Sequence, residues 1–350
     1  MRIVRVDELS AGMVLSSDVF NDMGNVILGE GTVISDRHLE YLINHSVEFV
    51  YVKSETNQLE NDSPVVREKT PYIEDLESCF TNTIEHYKHI YLAAQEGDVD
   101  VKLVRETLTP LVSKVTKNNN ILESLRSVGV VDDYTFKHSI HVSIFSAFIA
   151  KWLGLSEEDI ELAALSGLLH DIGKCRLPQT IINKKGKVNQ QEFDIIKDHT
   201  TYGYSILKNN ADVDAKVLSG VLFHHERIDG SGYPRGIRGT EIPLFARIVG
   251  VADVFDAITS DRPYSKKVST FKAFTIIKEE SFNGLDPKIT EVFLTNISKF
   301  FVGNIVKLND GRVCEVVYVN RYELNRPLIK HNEEFIDLSQ NYTLEIVEVL

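Results

Sequence analysis

Leu168-Leu169-His170-Asp171-Ile172-Gly173-Lys174 places an adjacent histidine and aspartate directly after an apolar helical run. Both polar side chains therefore enter the protein from within a packed helix. A buried aspartate is costly unless it is paired or coordinated, and a single satisfied core pair would explain one such dipeptide. Four other elements change that balance. His138 opens a helix patterned by Ile140, Ile144, Phe148 and Trp152, which reads as amphipathic. His199 follows Phe193, Ile195 and Ile196 on a further helix. His224 and His225 end the apolar run Val221-Leu222-Phe223, and Asp253 sits inside Ile248-Val249-Gly250-Val251-Ala252-Asp253. Independent accidents of core packing do not account for the whole set.

Imidazole and carboxylate together suit divalent iron, manganese, zinc or cobalt, and one aspartate can be shared between two ions. A metal pair roughly 3.5–4 Å apart can clamp a phosphoryl oxygen during hydrolysis. Thiolates are missing from the set, which disfavours a structural zinc cage. Directly after the two adjacent histidines comes Glu226-Arg227-Ile228-Asp229-Gly230-Ser231-Gly232-Tyr233-Pro234, a sharply turned loop. Its glycines let the backbone approach a phosphate or base, and Tyr233 offers a stacking face or a hydroxyl. Without the neighbouring histidines an ordinary rigid loop would be the better reading.

Working outward, residues 130–300 read as a mainly helical catalytic domain. Ahead of it, residues 72–129 carry a helical stripe of Leu76, Phe80, Ile84, Tyr87 and Tyr91, then Val101, Val104, Leu108, Leu111 and Val115. Such a stripe must be covered by the chain's own catalytic domain or by a second copy, and isologous pairing predicts a homodimer. Residues 1–53 form a small α+β module with a turn at 21–25, and the polar, aperiodic stretch 54–71 reads as a linker. After Phe301 the pattern changes to strands over 301–350. Asn309-Asp310-Gly311 is a hairpin signal, and Tyr342 to Leu350 reads as a closing strand.

A net charge of −13 argues against a broad electrostatic grip on duplex nucleic acid or anionic lipid. It leaves room for a small anionic substrate held by locally placed cations. The start MRIVRVDELSAG has no uninterrupted apolar stretch, and no later segment reaches a membrane span, so a soluble cytoplasmic protein is predicted. The three cysteines, Cys79, Cys175 and Cys314, are isolated and read as small buried hydrophobes.

At His170-Asp171 and Gly232-Tyr233-Pro234 the sequence resembles the HD-GYP family of cyclic di-GMP phosphodiesterases, a branch of the HD-domain metal phosphohydrolases. The strings His-Asp-Ile-Gly-Lys, His-His-Glu and Val-Ala-Asp-Val-Phe-Asp-Ala-Ile-Thr-Ser-Asp-Arg-Pro-Tyr resemble that family too. The resemblance implies an all-helical HD-type domain with two divalent ions, iron or manganese. It implies metal ligands at His138, His170, Asp171, His199, His224, His225 and Asp253, with Asp171 shared between the ions. By the same resemblance Lys174 neutralises the scissile phosphate or assists the leaving oxygen. Asp256 handles a proton or supports a ligand from behind, and Arg262 contacts phosphate or guanine. Gly232, Tyr233 and Pro234 shape the substrate pocket.

Two departures stand out. Ser265 displaces Lys266 by one place from the lysine that usually follows Arg-Pro-Tyr, weakening its assignment to substrate. Some members bind a third metal through a glutamate four residues before the first histidine. Here that position is Tyr134, and Asp133 lies roughly 100° around the helix, which implies two metals. His141 reads as a hydrogen-bonded structural residue. The implied reaction is hydrolysis of a cyclic dinucleotide to linear pGpG, with a second cut to GMP open. A mononucleotide phosphohydrolase and a non-catalytic cyclic dinucleotide receptor are the rival readings.

Overall fold

The computed structural model describes residues 2–6, 9–10, 12–20, 26–44, 47, 49–53, 71–97, 99–118, 134–182, 184, 186–260, 268–332 and 334–350. The expected turn at 21–25 and nearly all of the expected linker lie outside them. The chain divides into two compact units, residues 1–67 and 68–350.

The first unit pairs β1 (Arg2–Arg5) with β4 (Phe49–Val52) and β2 (Val19–Phe20) with β3 (Val26–Leu28), both antiparallel, and adds α1 (Asp36–Asn44). Leu15, Ile34, Leu42 and Val50 form its own small core. This is the α+β module read from the sequence.

The second unit is mainly helical. It begins with α2 (Pro71–Glu96) and α3 (Val101–Asn118), followed by α4 (Tyr134–Trp152) and α5 (Glu157–Leu169). A 3-10 turn spans Ile172–Arg176. Then come α6 (Gln179–Ile182), α7 (Gln190–Lys197), α8 (His199–Leu207) and α9 (Ala215–Phe223). The helices α10 (Leu244–Thr259), α11 (Thr270–Asn283) and α12 (Pro287–Ile297) complete the set. No helix among the described residues is long and apolar enough to cross a membrane.

The sequence pattern made α4 amphipathic, but every residue from His138 to Ala150 is buried. A helix apolar on all sides belongs at the centre of a domain. The serines at 139, 143 and 146 are small enough to let neighbours close in, and Ser143 returns its hydroxyl to the Ala164 carbonyl of α5 at 2.7 Å. The stripe on α2 and α3 joins the same hydrophobic core as α4, α5 and α10. Leu76, Phe80 and Leu111 are at most 1% exposed. The chain's own helices therefore cover the face from which the homodimer was expected, and the stripe supplies no reason for one.

The C-terminal strands form one antiparallel sheet in the order β8-β7-β6-β5-β9. Its members are β5 (Ile305–Leu308), β6 (Val313–Tyr318), β7 (Leu328–His331), β8 (Glu334–Asp337) and β9 (Ile346–Val349). The β5–β6 hairpin turns where Asp310-Gly311 predicts it, with Gly311 at φ 92°. Val306, Cys314, Val316 and Ile329 alternate inward and share the helical core.

Candidate metal centre

Five separate pieces of the helical unit converge on one spot. Ser156 caps α5 by accepting from the Asp159 amide, and Glu157, Glu158 and Asp159 favour its positive end. That helix stops at Leu169, so His170 is its last cap and Asp171 (φ −99°, ψ 6°) opens the 3-10 turn. The pair therefore stands at a junction, not within a helix as the sequence suggested. A Cβ on Gly173 would overlap the His199 carbonyl oxygen and the Gly203 nitrogen. Only glycine lets the turn touch the start of α8, and this contact brings Asp171 to His199.

His199 is also placed differently from expectation. The helix breaks at Asp198, so Phe193 and Ile195 lie on α7 and His199 begins α8. The α7 helix buries none of its residues and is held by a capping box between Asn189 and Glu192. On α9, Asp214 caps the start and His224 follows Phe223 at the end. Asp253 and Asp256 share one face of α10, one turn apart.

The imidazole tautomers follow from their partners. Nδ1 of His170 is 2.7 Å from the Gly167 carbonyl oxygen, that of His199 2.6 Å from Ile196, and that of His224 2.9 Å from Val221. A carbonyl only accepts, so each Nδ1 carries the proton and each Nε2 presents a lone pair. Nδ1 of His138 likewise donates to Asp256 at 2.6 Å, and Nδ1 of His141 donates to the other oxygen of the same carboxylate at 2.6 Å. Asp256 thus holds a proton on two rings from behind, and His141 is the hydrogen-bonded residue the sequence suggested.

The inward-facing atoms fall into two groups that could each hold a metal ion: His199, His224 and His225, and His138, His170 and Asp171. Asp171 turns one oxygen to each. Its Oδ1 is 3.4 Å from His199 Nε2, and its Oδ2 is 3.2 Å from His170 Nε2 and 3.8 Å from His138 Nε2. Asp253 adds an oxygen 3.2 Å from His138 Nε2. The Nε2 atoms of His199 and His224 lie 3.3 Å apart, two lone pairs that cannot bond each other but can share a cation. His170 Nε2 and Asp171 Oδ1 are buried without a hydrogen-bond partner. Buried polar atoms are rarely left so, and the donor set fits divalent metal.

Electrostatics set His138 apart from the three histidines of the other group. Burial lowers His199 to about 4 and holds His224 and His225 well below the ordinary imidazole range, so these rings stay neutral. Burial also opposes charge on His138, but the bonds to Asp253 and Asp256 outweigh it and raise that ring to about 9. Burial likewise opposes ionisation of Asp171 and Asp253. The fields of His170 and Lys174 overcome it at Asp171, and His138 does so at Asp253, leaving both well below the carboxylate range. The carboxylates that favour a proton on His138 would also face a bound cation, and binding one at Nε2 would release that proton.

Lys174 places Nζ 2.5 Å from Asp171 Oδ2 and is partly exposed. A Cβ on Gly232 would collide with the backbone of His225, Glu226 and Arg227. The loop therefore doubles back, and the Tyr233 ring stacks on His225 with centroids 4.6 Å apart. Pro234 follows it in the loop. Arg262 and Lys266 lie outside the described residues, as does Asp133, and the Tyr134 backbone begins α4.

The sequence reading gave Glu226 no role. It is 5% exposed, and its Oε1 accepts from the amides of Arg235 at 2.7 Å and Gly236 at 3.2 Å, clasping the far end of the loop. An acidic residue directly after two histidines was the available signal, but nothing in the sequence revealed its burial.

Known proteins bear on this geometry. A profile of the HD domain matches residues 114–289, half of the chain. The chain belongs to the HD domain family. The HD domain match begins inside α3 and runs through all five pieces of the site. Among curated relatives, a cyclic di-GMP phosphodiesterase of Pseudomonas aeruginosa is 36% identical over 233 residues, 66% of this chain and 56% of the relative. A 3′3′-cGAMP-specific phosphodiesterase of Vibrio cholerae is 38% identical over 175 residues, 50% of this chain and 40% of the relative. The chain thus spans about half the length of these relatives. In fold it is similar to an HDG"Y"P protein from Bdellovibrio bacteriovorus. The TM-score is 0.50 at 16% identity, over 83% of this chain and 97% of that one.

Proposed function

We propose that this chain is a metal-dependent phosphodiesterase that opens cyclic di-GMP to linear pGpG at a two-metal site. One observation carries the reading. Asp171 divides its two oxygens between two groups of histidines, all buried except the half-buried His225, whose ring nitrogens lie close enough to share an ion. The names of the relatives supply the substrate class.

His199, His224 and His225 would hold one ion, His138, His170 and Asp253 the other, and Asp171 both. Bound there, the ions supply positive charge that polarises a phosphoryl group and acidifies water. The chain's own residues do the rest. Asp256 keeps the proton of His138 on Nδ1, so that Nε2 faces inward. The Lys174 ammonium stands beside Asp171, placed to offset charge that builds on phosphate oxygens in the transition state. Tyr233 walls the mouth of the site beside His225, and Arg262 and Lys266 are assigned to phosphate or guanine on resemblance alone.

Anaerobically purified protein should contain close to two iron or manganese ions per chain and convert cyclic di-GMP to pGpG, read by elemental analysis and product chromatography. Three tightly held ions would reopen Asp133 or His141 as ligands. Turnover of mononucleotides without cyclic dinucleotides would overturn the substrate assignment, and preference for cyclic GMP-AMP would move it to the second substrate named among the relatives. Binding of cyclic di-GMP without any turnover would make the chain a receptor.

Tyr233→Ala should raise the KM for cyclic di-GMP about tenfold or more, on the scale of one lost stacking contact, with metal content unchanged. Unaltered kinetics would reduce the loop to scaffold.

A further inference from the structure

Beside the site, α7 carries a phenylalanine that packs into no core. Phe193 is 40% exposed, on a helix that buries none of its residues. Its ring meets Tyr233 edge to face, centroids 6.4 Å apart at 84°. Tyr233 stacks on His225, so an unbroken aromatic run leads from the candidate metal centre to the surface through His225, Tyr233 and Phe193. Lys197, one turn further along α7, holds its ammonium 4.9 Å above the Phe193 ring and 6.0 Å above Tyr233. The same Nζ pairs with Asp194 at 2.8 Å. Both partners of that pair are substantially exposed, so the bond is weak and exchangeable.

We propose that Phe193 and Lys197 form a purine-nucleotide subsite at the mouth of the metal centre. The inference rests on the phosphodiesterase reading for its physiological ligand, but the subsite itself can be tested without turnover. A purine would lie on the Phe193 face that Lys197 now shields, and the released ammonium would turn from Asp194 to a phosphate oxygen. A ring with no packing role, flanked by a loosely held cation, matches a ligand that is planar at one end and anionic at the other. The arrangement would seat a base of the dinucleotide while the scissile phosphate faces Lys174. Phe193 is thus a positioning residue for specificity, not one that acts on the reacting atoms.

The test uses the manganese-loaded full chain and two probes, GMP and ribose 5-phosphate, titrated by calorimetry. Wild-type protein should bind GMP more tightly. Phe193→Ala and Phe193→Leu should weaken GMP about tenfold and leave ribose 5-phosphate unchanged, whereas Phe193→Trp should preserve the preference. Lys197→Ala should weaken both probes. With cyclic di-GMP as substrate, Phe193→Ala should raise KM by a similar factor while kcat and metal content hold. Equal losses for both probes, no change for either, or no wild-type preference for GMP would each overturn the subsite. If GMP discrimination behaves as expected but wild-type protein does not cleave cyclic di-GMP, the subsite stands and the phosphodiesterase reading falls.

Discussion

Asp171→Ala should remove bound metal and turnover together. Asp171 is 2% exposed and turns one oxygen to each histidine group, so on the two-metal reading its loss would remove a ligand from both ions at once. Losing a residue that only supports a ligand typically costs roughly 10–100-fold in metal affinity. Losing a shared ligand should exceed that, and cyclic di-GMP hydrolysis should fall below detection. The variant should still fold. Alanine leaves no uncompensated buried charge from its own position, and Lys174, the cation it abandons, can turn to solvent. Elemental analysis, chromatographic assay and a thermal melt of the metal-free protein would check all three points. Two retained ions with normal turnover would show that Asp171 is not the shared ligand.

The second large effect is kinetic. Lys174→Ala should keep both ions and lose about 10²–10³ in kcat, the scale for removing one group that stabilises charge in the transition state. Its ammonium contacts Asp171 Oδ2, but no histidine group depends on it for orientation: those rings are fixed by the carbonyls of Gly167, Ile196 and Val221 and by Asp256. Metal loss in this variant would instead make the lysine an anchor for the Asp171 carboxylate. Lys174→Arg separates these roles further, since it keeps the charge in a different shape.

The residues that meet at the site were legible because most of them interrupt or end an apolar run with a group that proteins do not bury without cause. His170-Asp171, His224-His225 and Asp253 all carry that mark, and the Asp310-Gly311 hairpin was equally plain. Boundaries were less so. Phe193, Ile195 and Ile196 look like the apolar face of the helix bearing His199, but the chain breaks at Asp198 and leaves them on a separate exposed helix. Apolar spacing reports that a face exists, not what lies against it. The same limit hid the destination of the α2–α3 stripe, which packs into the chain's own helical core, and the burial of α4 on every side. Glu226 was missed because a carboxylate oxygen that accepts from two loop amides has no periodic trace.

The contact at Gly173 has a consequence for the span of the site. The 3-10 turn and α8 meet main chain to main chain, with no side chain between them to change rotamer or swell. The gap separating Asp171 from His199 is therefore set by a mechanical stop. Any residue other than glycine at 173 would have to push α8 off the turn, and would so widen the gap across which Asp171 faces His199.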